Sequence, residues 1–206
     1  MGARQRNKKQ WHELASLMRD GYRPTTLARV WDVVGTGVSG FHTGEAAALW
    51  HACKTDGNIR SIAEVGRCLG GTLWMMACCN RKLEEVYSID VQRFDVTDDA
   101  FHDFFTIHGI KHKILVDDSR NAKPERKYDL VIIDGEHTGE GVTADIKIWW
   151  QHARLLCFHD YADKGRNYHR RRYSYVVAAI SYHAEKYGWK QVGERGKSEI
   201  IFEVMP

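Results

Sequence analysis

Residues able to do chemistry recur in this sequence at the ends of short apolar runs. In Ser61-Ile62-Ala63-Glu64-Val65-Gly66-Arg67-Cys68-Leu69-Gly70-Gly71-Thr72 a strand-like run enters a glycine-bearing turn and then a helix-like segment. Such a turn lets backbone amides approach a ligand closely at a helix N-terminus, so a nucleotide-like ligand is expected. Two phosphate cradles are excluded by spacing. Cys68 stands where a dinucleotide fingerprint needs its second glycine, and Gly70-Gly71-Thr72 lacks the lysine of a triphosphate loop. Glu64, just before the turn, would repel a phosphate, so a neutral or cationic ligand fits better. Asp90 closes the next run, Val86-Tyr87-Ser88-Ile89. A carboxylate there can accept hydrogen bonds from both hydroxyls of a ribose. By position alone Asp90 reads equally as a turn aspartate; the Glu64-x-Gly66 turn upstream favours the ribose.

Two later runs, Asp129 to Ile133 and Leu155 to Phe158, end in Asp134 and in His159-Asp160. Ligands of a doubly wound sheet gather at the carboxyl ends of its strands, so on neighbouring strands Asp134 and Asp160 would converge. Two carboxylates beside a substrate suit magnesium, which takes oxygen donors and keeps several waters. His137 follows three residues after Asp134, beyond a strand-end Asp-Gly, a setting that separates it from the other histidines among the 11 in the chain. Trp149-Trp150 reads as core packing at the end of an amphipathic helix.

The elements that must position these residues show as a rhythm. From about Ile59 onward, short apolar runs alternate with longer helix-compatible segments, the pattern of βαβ units around a parallel sheet. Strands are expected near Ser61 to Val65, Val86 to Ile89, Lys113 to Val116, Asp129 to Ile133 and Leu155 to Phe158. Helices are expected near Thr72 to Asn80, Asp98 to His108, Gly141 to Gln151 and Tyr173 to Tyr187. Trp189 to Glu194 and Ser198 to Val204 read as a closing hairpin around Gly196-Lys197. The fold class is therefore α/β: a Rossmann-like three-layer sandwich whose mostly parallel seven-stranded sheet ends in an antiparallel hairpin. Thr43 reads as the N-cap of a helix running to His51. Residues 1–42 read as a helical and loop extension, and 43–206 as one domain.

The chain has 206 residues, 43% hydrophobic and 28% charged, which suits a single buried core and excludes a disordered tail, a collagen-like repeat or a small disulfide scaffold. Aliphatic runs such as Leu130-Val131-Ile132-Ile133 fall far short of the roughly 20 residues of a membrane span, and the N-terminus carries no apolar leader, so a cytoplasmic protein without a membrane partner is expected. The 5 cysteines form an odd set with no CxxC pair, which reads as buried thiols in a reducing compartment rather than bridges or a zinc site. A net charge of +3 does not mark a general nucleic-acid binder. Locally, Arg4, Arg6, Lys8 and Lys9 read as a solvated terminus. Lys164, Arg166, Arg170, Arg171 and Arg172, with Tyr161, Tyr168 and Tyr173 among them, are the better candidate contact for an anionic partner.

Together, Glu64-Val65-Gly66-x-x-x-Gly70-x-Thr72, Ile89-Asp90, Asp129-Leu130-Val131-Ile132-Ile133-Asp134-Gly135-Glu136-His137 and Phe158-His159-Asp160-Tyr161 resemble class I S-adenosylmethionine-dependent methyltransferases. Within that class they are similar to the macrocin-type and mycinamicin-type sugar O-methyltransferases and, more distantly, to catechol O-methyltransferase. The resemblance spans roughly Gly40 to the C-terminus. It implies S-adenosyl-L-methionine as cofactor, with Gly66 and Gly70 shaping the loop around its methionine part, Glu64 supporting that loop and Asp90 holding the ribose. Thr72 and Asp134 join the implied cofactor set. Asp118-Ser119 lies where such enzymes touch the adenine, and Phe41-His42-Thr43 where they add an N-terminal contact.

The same resemblance implies a magnesium ion at Asp134, His159 and Asp160 that binds and acidifies a substrate hydroxyl. The sequence departs from the pattern at His159, because imidazole is a poorer magnesium ligand than a carboxylate; a softer ion, or none, stays open. Methyl transfer from a sulfonium is an in-line displacement that needs the acceptor's proton removed. His137 resembles the histidine that does this in mycinamicin-type enzymes, and His159 is the second candidate, as base or ligand. The expected function is O-methylation of a small molecule of sugar or phenolic type, with His137 as general base. Two alternatives stand beside it: methylation of RNA held by the basic 164–172 loop, and a cofactor-binding protein without catalysis. A homo-oligomer is compatible with either.

Overall fold

The computed structural model describes residues 3–34, 43–159, 161, 170–195 and 199–204. Their elements run α1 (Ala3–Arg19), α2 (Leu27–Val34), α3 (Thr43–Thr55), β1 (Ser61–Val65), α4 (Gly71–Cys79), β2 (Glu85–Asp90) and α5 (Asp95–Ile107). They continue with β3 (Lys111–Val116), β4 (Tyr128–Ile133), α6 (Gly139–Trp149), β5 (Ala153–Phe158), α7 (Arg170–Tyr187), β6 (Lys190–Arg195) and β7 (Glu199–Glu203). The seven strands lie in the order β3-β2-β1-β4-β5-β7-β6. The first five pair in parallel and the last two antiparallel. This is the expected Rossmann-like architecture with its closing hairpin; the Gly196-Lys197 turn lies outside the described residues.

Alternation along the strands divides the core. Ile62, Val86, Leu130, Ile132 and Cys157 face a layer containing Leu14, Met18, Trp74, Phe101 and Phe105, from α1, α4 and α5. Ala63, Val65, Tyr87, Ile89, Val131, Ile133, Leu156 and Phe158 face the other layer, with Ile146, Trp149, Val176 and Ile180 from α6 and α7. A strand covered on both faces is mostly apolar, and β1 is buried along its whole length, Ser61 and Glu64 included. Trp149 is fully buried and Trp150 stacks on Tyr187, with ring centroids 4.3 Å apart, in keeping with a packing role. Among the described residues no helix is long and apolar enough to cross a membrane.

The chain builds outward from β1 to β2 and β3, then crosses back to place β4 on the other side of β1. A crevice opens at such a reversal, beyond the carboxyl ends of β1 and β4. One polar pair inside the helical layer holds the loop that enters it. The Arg67 side chain, fully buried, donates from Nη2 and Nε to Asp98 Oδ1 at 2.9 and 3.2 Å. Its Nη1 donates to Ser88 Oγ at 3.2 Å and to the Leu115 carbonyl at 3.4 Å. The other Asp98 oxygen accepts the Phe94 N–H at 3.1 Å, at the start of α5. One guanidinium thus ties the post-β1 loop to β2, β3 and α5.

Removing one member of a buried ion pair leaves the other charge uncompensated, at a cost of about 3–5 kcal/mol. Asp98→Asn should lower the unfolding free energy by about that amount, while Arg67→Met with Asp98→Leu recovers most of it. Urea unfolding reads both; equal losses in the single and double variants would contradict the role given to the pair.

Candidate cofactor and acceptor site

The loop after β1 uses left-handed backbone at Gly66 (φ 85°), Cys68 (φ 50°) and Gly70 (φ 75°). At Gly66 a side chain is sterically forbidden, since a Cβ there would lie 2.1 Å from the Asp134 carbonyl oxygen. The Gly66 N–H donates to the Ile89 carbonyl at 2.9 Å, and the Asp134 N–H to the Val65 carbonyl at 2.8 Å. Three strand ends are thereby laced together. Cys68 takes a conformation that usually favours glycine, and its N–H donates to Asp90 Oδ2 at 2.7 Å. Against the expectation of buried thiols, Cys68 is exposed, because it sits in the loop after the first strand. Asp90 Oδ1 accepts the Gln92 N–H at 2.8 Å. Each carboxylate oxygen keeps a second lone pair, so Asp90 is oriented by the loop and still able to accept from a ligand.

These groups border a cavity of about 770 Å³ whose wall includes Gly66, Cys68, Asp90, Ser119, Asp134, His137 and His159. Asp118 also lines it, but its carboxylate accepts from the backbone N–H and the guanidinium of Arg120. Those bonds hold its pKa down at about 2. Glu64, Gly70 and Thr72 are buried behind the wall. Burial, reinforced by Asp134, pushes the Glu64 carboxyl well above the usual range. The shift favours its neutral form, which leaves Asp90 and Asp134 on the wall among the carboxylates that would repel a phosphate.

At the far end of the cavity β4 and β5 lie side by side, with Ile133 paired to Phe158. That pairing brings Asp134 and His159 together, as expected of adjacent strand ends. His159 Nδ1 donates to Asp134 Oδ1 at 2.9 Å, which assigns the proton to Nδ1 because an ionised carboxylate only accepts. His137 Nε2 stands 3.9 Å from the same oxygen. Asp134 is therefore flanked by both candidate histidines. Asp160, Phe41, His42, Lys164, Arg166 and Tyr168 lie outside the described residues, and Arg170, Arg171 and Arg172 are described only as the backbone of the first turn of α7.

The expected magnesium set is only partly described. Among the described residues no group of three histidine, cysteine or acidic side chains is arranged to hold a metal. Of the expected set Asp134 and His159 are described, and one Asp134 oxygen is engaged by the His159 N–H; Asp160, the second carboxylate, lies outside the described residues. Magnesium takes several oxygen ligands, of which the described pair supplies one carboxylate.

Asp145 was not anticipated from sequence. It is 1% exposed on the inner face of α6, borders the cavity and accepts a hydrogen bond from Ser119. Burial pushes its pKa up to about 6. The available signal was an acid in register with Val142, Ile146 and Trp149, the buried face of that helix. Folded Asp145 holds its proton up to about pH 6 and the unfolded chain only up to about pH 4, so stability falls as pH rises through that window. Asp145→Asn should raise the melting temperature at pH 7.5, with the gain vanishing near pH 4; a gain independent of pH would contradict the assignment.

A family model described as a methyltransferase domain matches residues 63–161, just under half of the chain. No curated protein matches the sequence. Solved structures do. An O-methyltransferase from Bacillus cereus in complex with S-adenosylhomocysteine is 14% identical, with a TM-score of 0.62 over 96% of this chain and 99% of that one. A methyltransferase from Podospora anserina with S-adenosylhomocysteine bound is 13% identical, with a TM-score of 0.59 over 97% of each chain. The N-methyltransferase NodS from Bradyrhizobium japonicum is 14% identical, with a TM-score of 0.55 over 78% of this chain and 86% of that one. The chain thus has the class I S-adenosylmethionine-dependent methyltransferase fold, and its residues 63–161 match a methyltransferase domain.

Proposed function

We propose that the chain is an S-adenosylmethionine-dependent methyltransferase acting on a hydroxyl of a small molecule of sugar or phenolic type. The observation that carries this reading is the convergence on one cavity of the left-handed loop, the loop-bound Asp90 carboxylate and the Asp134–His159 pair. Structurally similar proteins hold S-adenosylhomocysteine. The cavity falls within the 300–1,000 Å³ typical of small-molecule sites, and Asp90 on its wall supports a ribose there. When bound, S-adenosylmethionine supplies a sulfonium-activated methyl group for in-line displacement.

The residues of this chain do the rest. Asp90 and Asp134 give the cavity a negative field suited to a cationic sulfonium. His137 accepts the acceptor's proton as the new bond to carbon forms, and Asp134, within ion-pair distance, stabilises the resulting imidazolium. His159 orients Asp134 through its Nδ1–H.

Binding and chemistry should therefore separate by residue. Asp90→Ala is expected to weaken calorimetric binding of S-adenosylhomocysteine by about 10–100-fold, the loss of one or two hydrogen bonds to a charged group. His137→Ala should leave that affinity nearly intact while kcat falls by about 100-fold or more in an acceptor screen of hydroxylated compounds. Equal loss of affinity in both variants would overturn the division of roles.

A further inference from the structure

We propose that His102 and His112 form a second, independent site: a two-histidine clip for a divalent transition-metal ion joining α5 to the sheet edge at β3. His112 Nε2 and His102 Nδ1 lie 2.9 Å apart. The other nitrogen of His112, Nδ1, lies 3.0 Å from the Ile110 carbonyl oxygen. A carbonyl only accepts, so Nδ1 carries the proton and the Nε2 lone pair faces His102. A backbone carbonyl on the remote nitrogen is the arrangement that orients metal-binding histidines. The His112 ring is held further by Phe105, with centroids 5.5 Å apart. His102 is exposed on α5, which leaves the pair open to solvent.

Without a metal, His102 donates its Nδ1 proton to His112. Moving that proton to Nε2 of His102 turns both facing nitrogens into lone-pair donors, with no change in charge. An ion about 2.0–2.1 Å from each, a usual metal–imidazole distance, would see them at an angle of about 90°. That angle matches neighbouring positions of a square or octahedral shell rather than a tetrahedral one. Imidazole donors select copper, nickel or zinc over magnesium, and the angle favours the first two. No third protein donor is arranged with them among the described residues, so water completes the shell. The pair lies on the outer edge of the sheet, away from Asp134 and His159, and does not depend on the proposed activity. An ion here would tie α5, which carries Asp98, to the edge strand.

The test is calorimetric titration of the untagged full chain with nickel chloride at pH 7.5, with thermal unfolding in parallel. One micromolar-range equivalent is expected, weakened at least tenfold by His102→Gln and by His112→Gln, with magnesium giving no such binding. Nickel should also raise the melting temperature of the wild type and not of either variant. His102→Gln changes an exposed side chain, so its fold is expected to be intact by circular dichroism. Nickel binding of unchanged strength in both variants, or no binding by the wild type, would overturn the proposal.

Discussion

The ends of β1 and β4 can touch only because residue 66 has no side chain. With the Asp134 carbonyl oxygen 2.1 Å from where a Cβ would stand, any other residue would force the two strand ends apart. That contact sets the loop carrying Cys68 beside the strand end carrying Asp134. The distance between a ligand at the loop and the Asp134 carboxylate beside His137 is thus set largely by the backbone of the sheet. Parallel pairing with β5 then adds His159, and pairing with β2 adds Asp90. Four strand ends supply the polar groups of one cavity while their apolar residues remain in the core.

Holding a strained loop over an apolar layer requires an anchor, and Arg67 supplies it. Its guanidinium takes one carboxylate, one hydroxyl and one carbonyl beneath the turn. Taking a charge out of water is costly unless it is fully paired, so Arg67 fixes the loop in the one position that offers all three partners. Acidic groups dominate the cavity wall. Glu64 and Asp145 are pushed toward their neutral forms by burial, whereas Asp90 and Asp134 remain on the wall. A cationic ligand would meet several carboxylates there, since Asp117, Asp118 and Glu136 line the cavity besides Asp90 and Asp134, and an anionic one would be repelled by them.

Much of this was legible in the sequence because sheet order and strand ends leave periodic traces. The alternation of apolar runs placed all seven strands within about two residues of their observed starts, and the strand-end acids marked the carboxyl edge. Pairwise geometry was less visible. Asp134 and His159 are expected as members of a magnesium set; spacing along the chain does not reveal the hydrogen bond between them. Arg67 was passed over inside the glycine turn, since its partner Asp98 lies 31 residues away on a helix whose rotation sequence does not reveal. Asp145 was hidden because an acid on the inner face of a helix looks, residue by residue, like a solvated one.

The central claim is that the loop after β1, Asp90 and the turn at Ser119 form a single seat for S-adenosylmethionine. Hydrogen–deuterium exchange with saturating S-adenosylhomocysteine, using NAD as control, addresses it most directly. The account predicts slowed exchange in three separate stretches, residues 66–70, 90–94 and 117–120, with S-adenosylhomocysteine alone. Protection confined to other parts of the chain, or equal protection by NAD, would contradict it.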